Sequence, residues 1–250
     1  MLNMTVDGQA THINRPSGIK GEDNRSRVDI SKYPWRTIGR LNRSGSFCTG
    51  ILISETEVLT AAHCFWNKKT RRWSLARFFY FVAGYEKGKY SGAATGVSYR
   101  TGADLSSDLS QLGNNRENDW AILTLDKPLG KQFGYIPIAR GRNAAGISKA
   151  KKGPAIYQAG YSRDYAYVLT VHKNCQITDY VRLKKESDPV YLHQCDATQG
   201  DSGSPMFRKI NGKFELVAIH SATARTTSGK VIGIAVPSEQ FIGAAQKSND

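Results

Sequence analysis

The sequence predicts an all-β fold, and two observations support this prediction. β-branched and aromatic residues occur in short runs, which are separated by turns rich in Gly, Asn, Asp and Ser. The dipeptide Asn211-Gly212 lies between two such runs and is a strong hairpin signal. Many short strands are therefore expected. The longest nearly unbroken apolar run, at 78–83, is far too short for a helix that spans a bilayer.

The strands are predicted in two groups, with a linker between them. Residues 139–153 are rich in glycine, alanine and lysine, and we expect them to join the two halves. A short helix is predicted to close the chain at about 238–247. The chain has 250 residues, 40% of them hydrophobic, which is enough for one large domain or two small ones. The predicted strands lie at 37–41, 46–54, 57–61, 77–83, 94–100 and 120–125 in the first half, and at 155–160, 167–172, 176–181, 191–195, 205–208, 214–220 and 231–237 in the second.

The chain is strongly basic, with a formal charge of +14 at pH 7. Such a charge attracts acidic surfaces, nucleic acids and anionic membranes. The basic clusters at 68–72, 149–152 and 182–185 are short, however, and no aromatic-and-basic module accompanies them. We interpret the charge as basic side chains spread over a solvated surface. We therefore expect no specific nucleic-acid partner and no membrane span.

Ser202 is the candidate nucleophile. It lies in the sequence Gly-Asp-Ser-Gly-Ser-Pro at 200–205, where a hydroxyl stands between two glycines on a tight loop. Such a loop can direct backbone N–H groups at the group that the hydroxyl attacks. A serine hydroxyl is a poor nucleophile at neutral pH, so this interpretation requires a histidine base and an acid that orients the histidine.

His63 and Asp119 supply the base and the acid. His63 follows the apolar run 58–62 directly, and Asp119 precedes the apolar run 120–123. An unpaired carboxylate at the end of a buried strand would be unfavourable, and accepting the histidine N–H would relieve that cost. A lone histidine in such a place is usually structural, and its coincidence with the other two motifs favours the catalytic interpretation.

The three motifs together resemble those of the chymotrypsin-like (trypsin-fold) serine endopeptidases. The matching sequences are Ala-Ala-His-Cys at 61–64, Asp-Trp-Ala-Ile-Leu at 119–123 and Gly-Asp-Ser-Gly at 200–203, in the order of that family. The resemblance runs from about residue 33 to about residue 241. The sparse cysteines and the Ser-Gly-Ser-Pro ending are more similar to the bacterial glutamyl-endopeptidase branch than to digestive trypsins.

The resemblance implies two six-stranded antiparallel β-barrels packed together, with a short C-terminal helix. The N-terminal barrel, at 28–138, would carry His63 and Asp119, and the C-terminal barrel, at 154–250, would carry Ser202 and the terminal helix. The reaction would be peptide-bond hydrolysis through an acyl-enzyme, with a protein or peptide as substrate and without a cofactor or metal. We expect a monomer.

The family pattern also implies roles for backbone and side-chain groups beside the triad. The N–H groups of Gly200 and Ser202 would form the oxyanion hole. Ser221 matches the family serine that bonds to the triad acid, or it is an ordinary serine at the end of a strand.

Two disulfides are expected from the resemblance. A bridge between Cys48 and Cys64 would fix the loop that carries the histidine, and two buried free thiols are the alternative. Cys175 and Cys195 would then pair, as in the bacterial branch, and brace the wall of the specificity pocket. An even number of cysteines favours an oxidising compartment.

The primary specificity has two competing interpretations. Asp196 stands six residues before the nucleophile, where trypsins place the carboxylate that binds Arg or Lys, and this favours basic specificity. His220 stands where glutamyl endopeptidases use a histidine to bind a glutamate side chain. Their accompanying threonine is replaced here by Ala197, although Thr198 is adjacent. Basic specificity is the preferred prediction, and acidic specificity is the alternative.

Residues 1–27 are polar and lack a sustained period, which leaves two interpretations open. They form a flexible leader, or they form the propeptide of a zymogen that is cut after Arg27 to release Val28. Asp201 supports the second interpretation, because in trypsin-like zymogens the residue before the nucleophile binds the freed terminal ammonium.

The chain as given shows no secretory signal, and we expect that one has been removed and that the protein is secreted or periplasmic. A rival from a different class is a non-catalytic protease homologue whose basic surface binds acidic partners. The presence of all three triad residues argues against it.

Overall fold

The structure, a computed structural model, describes residues 18–147 and 155–246 together with a short strand at Thr5–Val6. Its α-helices are short: α1 (Leu109–Asn114), α2 (Leu129–Phe133) and α3 (Ile242–Gln246). No helix among the described residues is both long and apolar enough to cross a membrane. In chain order, the strands of the described part are β1 (Thr5–Val6), β2 (Arg25–Arg27), β3 (Ile38–Arg43), β4 (Ser46–Leu52), β5 (Glu57–Thr60), β6 (Trp66–Asn67), β7 (Arg72–Trp73), β8 (Tyr80–Ala83), β9 (Gly92–Thr101), β10 (Ala121–Leu125), β11 (Ile156–Gly160), β12 (Thr170–Cys175), β13 (Ile177–Arg182), β14 (Pro189–His193), β15 (Pro205–Ile210), β16 (Lys213–Arg225) and β17 (Val231–Pro237).

The first half is a closed barrel of six antiparallel strands in the order β10-β5-β4-β3-β8-β9. Each predicted strand of this half is present, although the predicted strand at 77–83 begins as a 3₁₀ turn at Ala76–Phe78 and becomes extended only from Tyr80. Closure leaves the barrel without an unpaired edge. The short hairpin β6-β7 lies outside the barrel and directly follows the segment that carries His63.

The strands of the second half form an antiparallel sheet in the order β13-β14-β17-β16-β15-β11-β12, to which β2 adds beside β12 and β1 beside β16. Only Gln176 separates β12 from β13, so the two ends of this sheet are joined through the chain itself. Counted as one bent strand, β12 and β13 make this a second six-stranded unit, and the predicted fold class is confirmed. Asn211 and Gly212 both have positive φ angles, 49° and 80°, and make the predicted hairpin turn between β15 and β16.

The two halves share an apolar core. Side chains of the first barrel, such as Ile51 and Ile122, are buried together with side chains of the second half, such as Leu169 and Phe207. The described part of the predicted linker, 139–147, also contributes buried side chains to the second half, Ile147 among them. The rest of that linker, 148–154, lies outside the described residues. A continuous apolar contact therefore holds the two halves together.

Residues 18–27, part of the predicted leader or propeptide, pack against the second half. β2 pairs with β12 through Arg27 opposite Thr170 and Arg25 opposite His172. Arg25 Nη2 lies 2.8 Å from Asp23 Oδ2 and 2.5 Å from Asp164 Oδ2, and the Arg25 side chain is only 2% exposed. Backbone pairing and the ion pairs of the largely buried Arg25 side chain explain why a polar segment takes a defined position here. Most of residues 1–17 lies outside the described part of the chain.

Candidate active site

The structure brings His63, Asp119 and Ser202 together at the junction of the two halves. His63 lies in a 3₁₀ turn that follows β5, and Asp119 lies between another 3₁₀ turn and β10. His63 Nδ1 is 2.8 Å from Asp119 Oδ2, and His63 Nε2 is 2.7 Å from Ser202 Oγ. Both distances are normal for hydrogen bonds. A nucleophile, a base and an orienting acid thus form one connected chain.

The carboxylate of Asp119 is fully buried and is satisfied on both oxygens. The backbone N–H of His63 donates to Oδ1 at 2.9 Å, and the Ser221 hydroxyl donates to Oδ2 at 2.5 Å. Arg116 Nη1 lies 3.9 Å from Oδ2. Burial opposes the charge, but His63, Arg116 and Ser221 hold the pKa of Asp119 below its usual value. The acid therefore stays ionised and can orient His63.

Arg116 is a site residue that the sequence analysis missed. It lies three residues before Asp119 in the 3₁₀ turn Arg116–Asn118, and its side chain is only 13% exposed. The spacing was visible in the sequence, since residues three apart in a helical turn lie close together. Nothing in the sequence distinguished this arginine from the many surface arginines.

The loop of Ser202 contains the two backbone N–H groups of the candidate oxyanion hole. Gly200 adopts a φ of +102°, in the left-handed region that favours glycine. Within the described part of the chain, neither N–H donates to a protein acceptor. Thr49, on β4 of the first barrel, donates its N–H to the carbonyl oxygen of Ser202 at 2.9 Å and its hydroxyl to that of Gly200 at 3.1 Å. Two backbone N–H groups without a protein acceptor, one of them on the nucleophile, are candidates for holding the oxyanion of a tetrahedral intermediate.

Asp201 is buried and bonded to neutral donors. Its carboxylate accepts the Ser162 hydroxyl at 2.6 Å, the Thr198 N–H at 2.8 Å and the Ser204 hydroxyl at 3.1 Å. Burial raises the pKa of Asp201 despite these bonds. In this structure the carboxylate is satisfied without a terminal ammonium.

The structure contains both expected disulfides, Cys48–Cys64 and Cys175–Cys195. The first lies beside His63, and the second joins β12 to the segment that leads to Asp196. Cys48, His63 and Cys64 are close enough to suggest a metal site. Both sulfur atoms are in the disulfide, however, so neither is available as a thiolate ligand.

Asp196 is engaged by the N-terminal segment. Its Oδ1 accepts the N–H of Lys20 at 2.7 Å, its Oδ2 accepts the N–H of Asn24 at 3.1 Å, and His172 Nδ1 lies 3.1 Å from Oδ2. Burial opposes the charge, but His172, Lys20 and Asn24 hold the pKa of Asp196 below its usual value. Both oxygens of this carboxylate are therefore used within the protein.

Ala197 and Thr198 are also bonded within the protein. The N–H of Ala197 donates to Gly18 O at 3.3 Å, and the Thr198 hydroxyl donates to Asp164 Oδ1 at 2.6 Å. The Thr198 hydroxyl therefore helps to anchor the N-terminal segment, because Asp164 also binds Arg25.

His220 belongs to a buried pair with His193. The N–H of Cys195 donates to His193 Nδ1 at 3.2 Å, which places the His193 proton on Nε2. His193 Nε2 lies 3.0 Å from His220 Nδ1, so it donates there and leaves the His220 proton on Nε2. Burial, together with the charge of Lys20, lowers the pKa of His220 to about 3. A neutral His220 therefore has a fixed N–H donor with no acceptor among the described residues.

His193 and Gly233 are two further residues that the sequence analysis did not assign. A Cβ atom at Gly233 would lie 2.1 Å from the ring of His193, so only glycine permits this contact between β14 and β17. Burial and the neighbouring His220 hold the pKa of His193 well below its usual value. The pair is thus neutral and close-packed.

Lys20 places a positive charge beside this pair. Its ammonium donates to Cys195 O at 2.5 Å and to Gly18 O at 3.1 Å. Burial lowers the pKa of Lys20 to about 8, although Asp196 and Asp201 act in the opposite direction. Below that pH a cation lies near His193 and His220.

Comparison with known proteins agrees with this geometry. The sequence model of the trypsin family, described as "Trypsin", matches residues 24–244. Serine protease 23 of Mus musculus is 27% identical over 229 residues, which cover 82% of this chain and 54% of that protein. Glutamyl endopeptidase of Bacillus licheniformis is 24% identical over 212 residues, which cover 79% of this chain and 58% of that protein. The chain thus spans about half the length of these relatives.

Among solved structures, a Glu endopeptidase in complex with MPD is similar to this chain. The TM-score is 0.71 at 20% sequence identity, with 92% of this chain and 98% of the other covered. A thermostable serine protease named AL20 gives a TM-score of 0.62 at 18% identity and covers 84% of this chain and 97% of its own. These similarities establish the fold.

Proposed function

Since the chain belongs to the trypsin family, we propose that it is a serine endopeptidase which forms an acyl-enzyme on Ser202 and cleaves after acidic residues. The catalytic part of this proposal rests on the connected chain of Asp119, His63 and Ser202. The acidic preference rests on His220, whose fixed Nε2–H is offered beside the buried cation of Lys20. Acidic peptides or proteins are the proposed substrates.

The proposed reaction follows from the positions of the protons. Ser202 Oγ attacks the carbonyl carbon of the scissile bond while its proton passes to His63 Nε2. The oxyanion accepts the N–H groups of Gly200 and Ser202. His63 then gives its proton to the leaving amine, the carbon–nitrogen bond breaks, and the acyl-enzyme remains. Water attacks the acyl-enzyme by the same route in reverse, which releases the second product and restores Ser202.

The geometry favours acidic over basic specificity because of how Asp196 is bonded. A carboxylate that binds a substrate guanidinium or ammonium must present accessible lone pairs to its donors, and Asp196 is buried. Both oxygens of Asp196 instead accept backbone N–H groups of the N-terminal segment. A substrate carboxylate would be attracted by Lys20 and could accept the N–H of His220. Basic specificity through Asp196 remains the second candidate.

Cleavage of a peptide library tests the proposal. The library varies only the residue before the scissile bond, with Glu, Asp, Gln, Arg and Lys, and mass spectrometry identifies the cut sites. We expect cuts after Glu with the parent and none with Ser202→Ala. Cuts after Arg or Lys that disappear with Asp196→Asn would establish the basic alternative instead. If nothing is cut and a fluorophosphonate probe does not label Ser202, the chain is a non-catalytic homologue.

Release of Val28 by a cut after Arg27 remains a prediction. Its expected consequence follows from the contacts of residues 18–27. If the segment leaves after the cut, Asp196 loses the N–H donors of Lys20 and Asn24, and its carboxylate becomes available to a basic side chain. The library should therefore be cleaved with the full chain and with a chain that begins at Val28. Identical specificity in the two would contradict a role for the segment in the pocket.

We propose that the protein works in an oxidising compartment, outside the cell or in a periplasm. The two disulfides support this placement, since such bonds are rare in reducing compartments. Isolation of the protein from a culture medium or periplasmic extract with both disulfides intact would test it, and fully reduced cysteines in the native protein would contradict it. The monomeric state remains a prediction, which sedimentation can check.

A further inference from the structure

A cavity of about 620 Å³ opens on the side of Ser202 that faces His63 and the Cys48–Cys64 disulfide. In the proposed reaction His63 gives its proton to the leaving amine, so the leaving part of the substrate must lie beside His63. The proposed function places the acyl part on the side of Asp196 and His220, neither of which lines this cavity. The cavity beside the disulfide is therefore the leaving-side groove, and we use this name for it below.

The leaving-side groove contains only positive charges. Arg43, Lys68 and Lys69 line it, and none of its lining residues is Asp or Glu. Lys68 and Lys69 are exposed and follow β6, where the N–H of Lys69 donates to Asn67 Oδ1 at 3.0 Å and shapes the turn. A groove with charges of one sign attracts a ligand of the opposite sign more strongly than an isolated residue does.

Arg43 is held in place without a carboxylate in its hydrogen bonds. Its guanidinium donates to Ser74 Oγ at 2.8 Å, to Phe65 O at 3.3 Å and to Trp66 O at 3.1 Å. All three acceptors are neutral, and an arginine stays charged when partly buried, although burial lowers its pKa. The positive charge of Arg43 is therefore fixed at the wall of the groove, and the acceptors around it do not neutralise it.

We propose that the leaving-side groove binds acidic side chains of the substrate segment that follows the scissile bond. The inference rests on the proposed endopeptidase function and extends it from the residue before the bond to the residues after it. Substrates with Glu or Asp in the first few positions after the bond would place carboxylates near Lys68, Lys69 and Arg43. The preferred substrates would then be acidic on both sides of the cut.

The test uses peptides with one common acyl half and three leaving halves, Ala-Ala-Ala-Ala, Ala-Glu-Asp-Ala and Ala-Lys-Lys-Ala. The acyl half ends in the residue that the library shows to be cleaved best. At low salt we expect kcat/KM for the acidic leaving half to exceed that for the neutral one by about 5- to 20-fold, with the basic one slowest. In 0.5 M NaCl the ratio should fall to about 2-fold, because exposed charges are screened.

The variant Lys68→Glu/Lys69→Glu should abolish or reverse this preference. Its matched control is Lys127→Glu/Lys213→Glu, which changes the net charge equally at two exposed lysines that do not line the groove. We expect the control to keep most of the parent's preference. An equal loss in the control would show that the overall charge, and not the groove, selects the substrate, and would overturn the inference.

The outcomes separate this inference from the proposed function. Cleavage of all three peptides at equal rates would contradict the groove and leave the endopeptidase function intact. No cleavage of any peptide, by the parent or the control, would overturn both. As a second measurement, the free peptide Ala-Glu-Asp-Ala should inhibit the parent more strongly than it inhibits Lys68→Glu/Lys69→Glu. Equal inhibition would also count against the groove.

Discussion

The polar groups assigned to the two sides of Ser202 differ in their exposure to solvent. On the acyl side, Asp196 and His220 are buried, and each is held by hydrogen bonds to backbone or ring nitrogen atoms. On the leaving side, Lys68 and Lys69 are exposed to solvent. Buried groups interact strongly and resist salt, whereas exposed groups interact weakly and are screened. We therefore expect strict selection before the scissile bond and a modest, salt-sensitive preference after it.

The largest effect should come from Asp119→Asn, which impairs the proton transfer on which cleavage of every substrate depends. Asn cannot hold His63 in the tautomer that accepts the Ser202 proton, so kcat should fall by about 10⁴-fold while the fold is kept. The residual activity should retain the substrate preferences of the parent on both sides. The measurement is kcat and KM on the matched peptides, with circular dichroism as the control. A loss below 10-fold would contradict the assigned role of Asp119.

His220→Leu should act on the acyl side alone. A hydrogen bond to a charged group contributes about 1.5–3 kcal/mol, so the preference for Glu over Gln before the bond should fall by about 10- to 100-fold. The preference for acidic leaving halves should not change. Asp196→Asn is the matched comparison, and we expect it to disturb the docking of residues 18–27 more than the recognition of Glu. An unchanged Glu preference in His220→Leu would contradict the acidic pocket.

The two disulfides offer a further comparison, because one lies on each side. Each closes a loop of similar length, with 16 and 20 residues of separation, so removing either should lower the free energy of unfolding by about 3 kcal/mol. Their effects on specificity should differ. Cys175→Ser/Cys195→Ser should weaken the preference before the bond, and Cys48→Ser/Cys64→Ser the preference after it. Thermal unfolding and the matched peptides measure both, and identical specificity changes would argue against separate subsites.

The smallest effect should be the pH dependence contributed by Lys20. Its pKa is lowered to about 8, so the ammonium loses its charge as the pH rises through 8, and cleavage after Glu should decline there by a few-fold. The free energy of unfolding, in contrast, should increase as the pH rises through this range. The unfolded chain binds this proton more tightly, so the contribution of Lys20 to stability increases between about pH 8 and its unfolded value of 10.5.

Lys20→Arg provides the matched variant for this pH dependence. Arginine keeps its charge at high pH, so it should extend cleavage after Glu to higher pH without altering cleavage after Gln. A decline at the same pH in Lys20→Arg would show that another group is responsible. The neighbouring charged and titratable groups are Asp196, Asp201, Arg25, His193 and His220.

The sequence predicted the fold class and the meeting of His63, Asp119 and Ser202, because each lies in a local motif whose order and spacing carry the information. It did not predict the partners of Asp196. That residue is close to Ser202 in sequence, but Lys20, which binds its carboxylate, is 176 residues away in the chain. Likewise His193 had no assigned role until the pairing of β14 with β17 set it beside His220. Local sequence patterns do not predict contacts between residues that are far apart in the chain.

The hydrogen bonds of Thr49 have a consequence for how the molecule opens. Thr49 belongs to the first barrel, and it binds Ser202 and Gly200, while Tyr161 of the second half donates its N–H to the Thr49 hydroxyl at 2.9 Å. The amide hydrogen of Thr49 is therefore protected while the two halves are docked, and we expect it to exchange with solvent when they separate. Native-state hydrogen exchange at this one position would report the free energy of that separation. Since the nucleophile loop loses its shape in the same event, neither half alone should possess a formed catalytic loop.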